Sequence, residues 1–134
     1  MDLVTKLKNK NTVITEIPKW GTYLRYKWEL NFVNNLSITE KNNIYLDAFL
    51  WHIFSWEKVN CLKDVLAKNE FDKIKKKSCY IFYQHSNYAM IIENANNIKS
   101  EDFIDEEDIY IVDREFKWTY VKTHEEEYGP YFKY

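Results

Sequence analysis

The chain reads as an α+β fold, with N-terminal helices packed on one face of a C-terminal antiparallel sheet of about four strands. Three observations lead there. Up to about residue 77 the sequence carries a capping signal and apolar residues at helical spacing. Beyond it, short β-branched and aromatic runs alternate with turn residues. No repeat and no Pro/Gly-rich linker divides the 134 residues, the length of one ordinary domain. Hydrophobic residues form 46% of the sequence and aromatic ones 18%. That is ample for a core, since each buried aromatic removes about 150–250 Å² from water. The expected organisation is a single domain over residues 1–134.

Residues 1–11 are polar and lysine-rich and read as a loose N-terminal end. Residues 12–17 form a short strand that Pro18 stops. In residues 20–35, Leu24, Tyr26, Trp28, Leu30 and Phe32 alternate as in a strand, while Leu24, Trp28, Phe32 and Leu36 fall at helical spacing. The Arg, Lys, Glu and Leu between them favour the helix. Ser37-Ile38-Thr39-Glu40 has the form of a capping box, and Ile38, Leu46, Phe49, Leu50, Ile53 and Trp56 share one face, predicting a helix over much of 38–56. A further helix is expected over 58–76, with Leu62, Val65 and Leu66 on one stripe, Phe71 and Ile74 on another, and a break near Asn69.

The period then changes. Cys79–Tyr83 and Tyr88–Ile92 read as a hairpin about His85-Ser86-Asn87, and Asp108–Asp113 with Trp118–Lys122 as a second pair about residues 114–117. Ile98 and Phe103 mark a short helix crossing between them. Period-two geometry puts Cys79, Ile81 and Tyr83 on one sheet face, and Trp118 with Tyr120 on one face.

Several function classes are excluded or disfavoured. With only Gly21 and Gly129, neither in a phosphate-cradling pattern, P-loop and dinucleotide sites are excluded, and there is no nucleophile elbow. Cys61 and Cys79 lack CxxC spacing and read as reduced core thiols. His52, His85 and His124 share no short ligand spacing with each other or with the cysteines, so neither a metal nor another cofactor is expected. No stretch approaches the roughly 18 apolar residues of a membrane span, and MDLVTKLKNKN lacks the centre of a signal peptide, so a cytoplasmic location is expected.

Charge is polarised. Residues 1–77 hold fourteen Lys/Arg and nine Asp/Glu, a net of +5, and residues 78–134 hold five and twelve, a net of −7. Lys73, Lys75, Lys76 and Lys77 cluster near Tyr80 and Phe82, but a solvated helix end explains them better than nucleic acid does. In the acidic half, Glu101, Asp102, Asp105, Glu106, Glu107 and Asp108 crowd eight positions, and Glu125, Glu126 and Glu127 follow the last expected strand. If the two runs meet, they form a negative patch suited to a basic protein partner. Asp102, Asp105, Glu106, Glu107, Asp108 and Glu126 are the partner-binding candidates. His124 with Glu125 is the weaker, catalytic alternative, because imidazole titrates near neutrality and a carboxylate orients it.

The runs FLWHIFSWEK (Phe49–Lys58), CYIFYQ (Cys79–Gln84) and DIYIVDREFKWTYVKTHEEEYGPYF (Asp108–Phe132) resemble an uncharacterised family of small single-domain proteins from Bacillus and its relatives. The resemblance implies a stand-alone bacterial protein and brings no activity, cofactor or catalytic residue with it. The expectation is a protein-binding module, in its most concrete form an immunity-type inhibitor of a basic toxin, with a small His124 enzyme as the alternative.

Overall fold

The computed structural model describes residues 1–134 and has a seven-stranded antiparallel sheet with helices on both faces. The strands are β1 (Val13–Glu16), β2 (Leu62–Lys63), β3 (Ser78–Tyr83), β4 (Ala89–Glu93), β5 (Ile109–Asp113), β6 (Thr119–Lys122) and β7 (Tyr131–Lys133), in the order β1-β4-β3-β5-β6-β7-β2. The two expected hairpins, β3–β4 and β5–β6, form its centre and pair through β3 and β5. The four expected strands are therefore a subset, and β1, β2 and β7 extend the sheet on either side.

Coverage of both faces corrects the expectation of a single helical layer. Ile109 and Ile111 of β5 point into one core, with Cys79, Ile81, Trp118 and Tyr120. Tyr110 and Val112 point into the other, with Phe82 and Val121. A strand buried on both sides has no polar face to keep, so its sequence runs apolar without alternation. The predicted sharing of faces by Trp118 with Tyr120, and by Cys79 with Ile81 and Tyr83, holds.

On the first face lie α1 (Leu3–Lys8), α5 (Asp64–Lys73) and a 3₁₀ turn at Ser100–Phe103. The N-terminal end is not loose. Asp2 caps α1 by accepting the Thr5 amide at 2.8 Å, and Leu3 and Leu7 are buried. The 3₁₀ turn is fastened to α5 by Asp72, whose carboxylate accepts the Ser100 amide at 2.7 Å and its hydroxyl at 3.1 Å.

The expected helix over 58–76 is also corrected. Leu62–Lys63 pair with β7, α5 starts at Asp64, and no break occurs at Asn69. Val65 and Leu66 are exposed, while Ala67 and Phe71 make the buried contact. Phe71 stacks on Tyr120 with ring centroids 4.4 Å apart.

On the second face lie α2 (Gly21–Phe32), α3 (Ile38–Asn43) and α4 (His52–Ser55). The helical spacing of Leu24, Trp28 and Phe32 decides α2, and all three are buried. Trp28 donates its indole N–H to Thr119 Oγ1 at 2.9 Å, and that hydroxyl donates to the Ile111 carbonyl at 3.0 Å, so no polar group is stranded in the core. Gly21 is required by a close approach, because a Cβ there would lie 2.5 Å from the Ser86 carbonyl oxygen and 2.7 Å from Asn87 Cα. The neighbouring Arg25 clamps the same turn, donating to the carbonyls of Tyr83 at 2.8 Å and Ser86 at 2.6 Å.

The capping box forms as expected, with Glu40 N to Ser37 Oγ and Ser37 N to Glu40 Oε1 both at 3.1 Å. The single helix over 38–56 does not. It breaks at Tyr45, whose φ is +55°, so that Ile44 and Leu46 both turn inward. His52 Nδ1 approaches the carbonyls of Ile44 at 2.7 Å and Tyr45 at 3.1 Å; the Ile44 oxygen has lost the Ala48 amide, which donates to the Tyr45 carbonyl at 3.0 Å instead.

Candidate functional site

Antiparallel pairing brings the end of β3, the start of β5 and the end of β6 to the same margin of the sheet. The register pairs Ile109 with Lys122 and Tyr83 with Ile109, so Gln84, Asp108 and His124 gather just beyond the ladder. The Gln84 amide donates to the Asp108 carbonyl at 2.9 Å.

Asp108 holds three segments together. Its φ is +51°, in the left-handed region that Asp tolerates better than most residues. Its carboxylate accepts the Trp51 indole N–H at 3.0 Å and the His124 amide at 3.2 Å, and both oxygens lie 3.0 Å from His124 Nδ1. A carboxylate only accepts, so Nδ1 carries a proton. Nε2 lies 3.6 Å from Glu125 Oε1. The side chain of His124 is 34% exposed and that of Asp108 13%, so the imidazole sits at the surface above a largely covered acid.

A buried layer lies beneath. Gln84 Oε1 accepts the Leu50 amide at 2.9 Å and the Tyr110 hydroxyl, and that hydroxyl accepts the Trp51 amide at 3.1 Å. The Leu50 and Trp51 amides, which lead into α4, are thereby satisfied by side chains of the sheet. Burial holds the Tyr110 phenol well above its ordinary range, so it stays a neutral donor.

All three histidines meet around Phe49, with ring centroids 5.4 Å away for His52, 5.1 Å for His85 and 5.1 Å for His124. No three His, Cys, Asp or Glu side chains converge closely enough to share an ion. Cys79 is fully buried, and its thiol is pushed up to about 12 by burial.

The acidic residues divide into structural and free groups. Asp102 is buried, accepts the Lys99 amide at 2.8 Å and lies 3.6 Å from Lys10 Nζ. Asp105 pairs with Lys6 at 3.2 Å, and Glu106 accepts the Tyr83 hydroxyl at 2.6 Å. Glu107 and Glu126 are exposed. The two acidic runs do meet: Glu101 and Ile104 line one depression of about 360 Å³ together with Glu125 and Glu126. Glu125 also borders a second, more open depression of about 430 Å³ walled by Trp51, His52, Ser55, Trp56, Glu57 and Tyr128. Trp56 and Tyr128 are each 48% exposed.

The lysine cluster does not act as a unit. Lys76 is buried, donates to the carbonyls of Phe71 at 2.6 Å and Ile74 at 3.2 Å, and lies over the Phe71 ring at 4.6 Å. It closes the end of α5, which leaves only Lys73, Lys75 and Lys77 in solvent.

This arrangement draws on sequence between Phe49 and Tyr128, and a single family model covers all of it. That model, described as a domain of unknown function (DUF4275), matches residues 1–132. The chain belongs to the DUF4275 family. No curated protein and no solved structure matches it. Membership covers the three runs on which the resemblance was drawn, and it assigns no role to any of their residues. No helix is long and apolar enough to cross a membrane.

Reading the sequence alone overlooked Phe49, Trp51, Gln84 and Tyr110 as site residues, and treated Asp108 only as one charge in an acidic run. A signal for Asp108 was present. Once residues 108–113 pair with 118–122, its own position falls opposite the residue before His124.

Proposed function

We propose that the chain is a protein-binding module of the bacterial cytoplasm that docks a basic partner on the acidic surface around Glu125. An immunity-type inhibitor of a basic toxin is its most specific form. The observation that carries this reading is the meeting of two acidic runs distant in sequence, Glu101 from one and Glu125 and Glu126 from the other, in one depression. Half-exposed Trp56 and Tyr128 stand beside them and offer apolar contact next to the charge. Aromatic anchors bordered by charge combine contact area with electrostatic steering. The test is capture on immobilised protein at low salt, followed by identification of what is retained. The reading expects a basic protein that elutes as ionic strength rises and is not retained by a Glu101→Lys, Glu126→Lys variant. Retention indifferent to both salt and charge reversal would overturn it.

A second reading, proton transfer by His124, is favoured by one specific observation, the two-oxygen contact of Asp108 with Nδ1. That contact leaves Nε2 as the base. It is the weaker reading because Nε2 faces a carboxylate rather than a hydroxyl or thiol nucleophile. Assaying ester and phosphodiester hydrolysis by wild type and His124→Ala decides it: a turnover that vanishes in the variant would establish the chemistry, and none in either would dismiss it.

A further inference from the structure

Building on the docking reading above, we propose that the depression between Trp51, Trp56 and Tyr128 receives the guanidinium of an arginine side chain from the basic partner. Seven residues line it: three aromatics, the His52 imidazole, the Ser55 hydroxyl and the carboxylates of Glu57 and Glu125, with no lysine or arginine among them. The neighbouring depression differs, because Lys68 and Lys122 there offset part of the charge of its carboxylates. Aromatic ring faces carry the negative end of a quadrupole and attract a cation placed over them, tryptophan most strongly. Carboxylates at the rim add a second attraction of the same sign. A planar guanidinium suits this combination better than an ammonium, since it stacks on rings and forks onto a carboxylate at once.

The two tryptophan walls are held before any ligand arrives. Trp51 is 2% exposed with its indole tied to Asp108 at 3.0 Å, so it backs the depression while half-exposed Trp56 and Tyr128 offer the ring surface. Trp56 leans on Tyr45 and His52, with centroids 6.2 Å and 6.4 Å away. Little freedom of these two tryptophans is therefore lost on binding. Both carboxylates are available for exchange: Glu57 meets Lys63 at 3.1 Å in an exposed pair, and Glu125 meets His124 at 3.6 Å. Such pairs are weak enough to yield to an incoming cation.

The experiment titrates the ¹⁵N-labelled full chain with Nα-acetyl-arginine amide, and separately with its citrulline counterpart, which has the same shape without the charge. The Trp56 indole resonance, assigned from Trp56→Phe, is expected to shift saturably with the arginine probe and about tenfold more weakly with citrulline. Glu125→Gln should weaken the response several-fold, with the rest of the spectrum unchanged because the residue is exposed. No saturable shift at Trp56, or an equal response to the two probes, would overturn the proposal. The titration needs no protein partner. A positive result without salt-sensitive capture would retire the docking reading and keep the pocket, whereas capture with a silent probe would retire the pocket alone.

Discussion

Both carboxylate oxygens of Asp108 lie 3.0 Å from Nδ1 of His124, while the same carboxylate takes the indole N–H of Trp51 at 3.0 Å. One side chain thus fastens the start of β5 to the loop after β6 and to the α4 turn. Asp108→Ala is expected to destabilise the fold by about 1–3 kcal/mol, because it leaves a part-buried indole N–H without an acceptor. Alanine also tolerates the left-handed backbone of this position poorly. Asp108→Asn should cost less, since asparagine accepts that backbone and its amide oxygen still receives the indole. Urea unfolding of the two variants provides the ranking, and an alanine variant as stable as wild type would remove Asp108 from this role.

Gly21→Ala sets helix propensity against contact. In an open helix the change gains up to about 1 kcal/mol. Here the added methyl would meet backbone atoms of Ser86 and Asn87 at 2.5 and 2.7 Å, which cannot rotate away. Net destabilisation is expected, with faster amide exchange across the 85–87 turn. Equal or greater stability would mean that the turn moves at little cost.

Trp118→Ala tests the first core. Trp118 is 7% exposed and packs against Phe71 and Phe132, with centroids 5.9 and 6.1 Å away. Loss of such a ring costs about 3–5 kcal/mol. A markedly lowered midpoint in thermal unfolding is the expected result, and an unchanged one would take Trp118 out of the core.

Lys76 predicts a pH dependence. Burial, with a smaller contribution from Lys99, lowers its pKa from 10.5 to about 8. Between those values the folded chain has lost a proton that the unfolded chain keeps. Unfolding then takes up a proton, and this contribution to stability rises with pH across the window. Tyr110, Tyr120 and Cys79 act in the opposite sense at high pH, because burial raises their pKa values above those of the unfolded chain. The readout is therefore the difference between wild type and Lys76→Met by urea unfolding. Wild type should gain on the variant from about pH 8 to 10.5 and run parallel to it below that window. Parallel curves throughout would mean that Lys76 is solvated.

Local signals in the sequence hold where they are self-contained. The Ser37–Glu40 box, the two central hairpins and the helical spacing of Leu24, Trp28 and Phe32 each state their structure within a few residues. Errors arose where distant chain overrode the local pattern. The face that joined Ile38 to Trp56 is cut at Tyr45, and the stripe through Val65 and Leu66 lies in solvent because Ala67 and Phe71 meet the sheet instead. Runs such as Ile109–Val112, apolar at every position, already carry the sign of a sheet covered on both sides.

By itself the sequence determined the α+β class, the central hairpins, the α3 cap and the polarity of charge, because each depends on neighbours a few residues apart. Only the tertiary structure decided which helices cover which face, that Asp108 meets Trp51, and which carboxylates remain free beside Trp56. Those outcomes depend on strand register and on which helix reaches which face. Both are fixed by contacts between residues dozens of positions apart, and no local spacing encodes them.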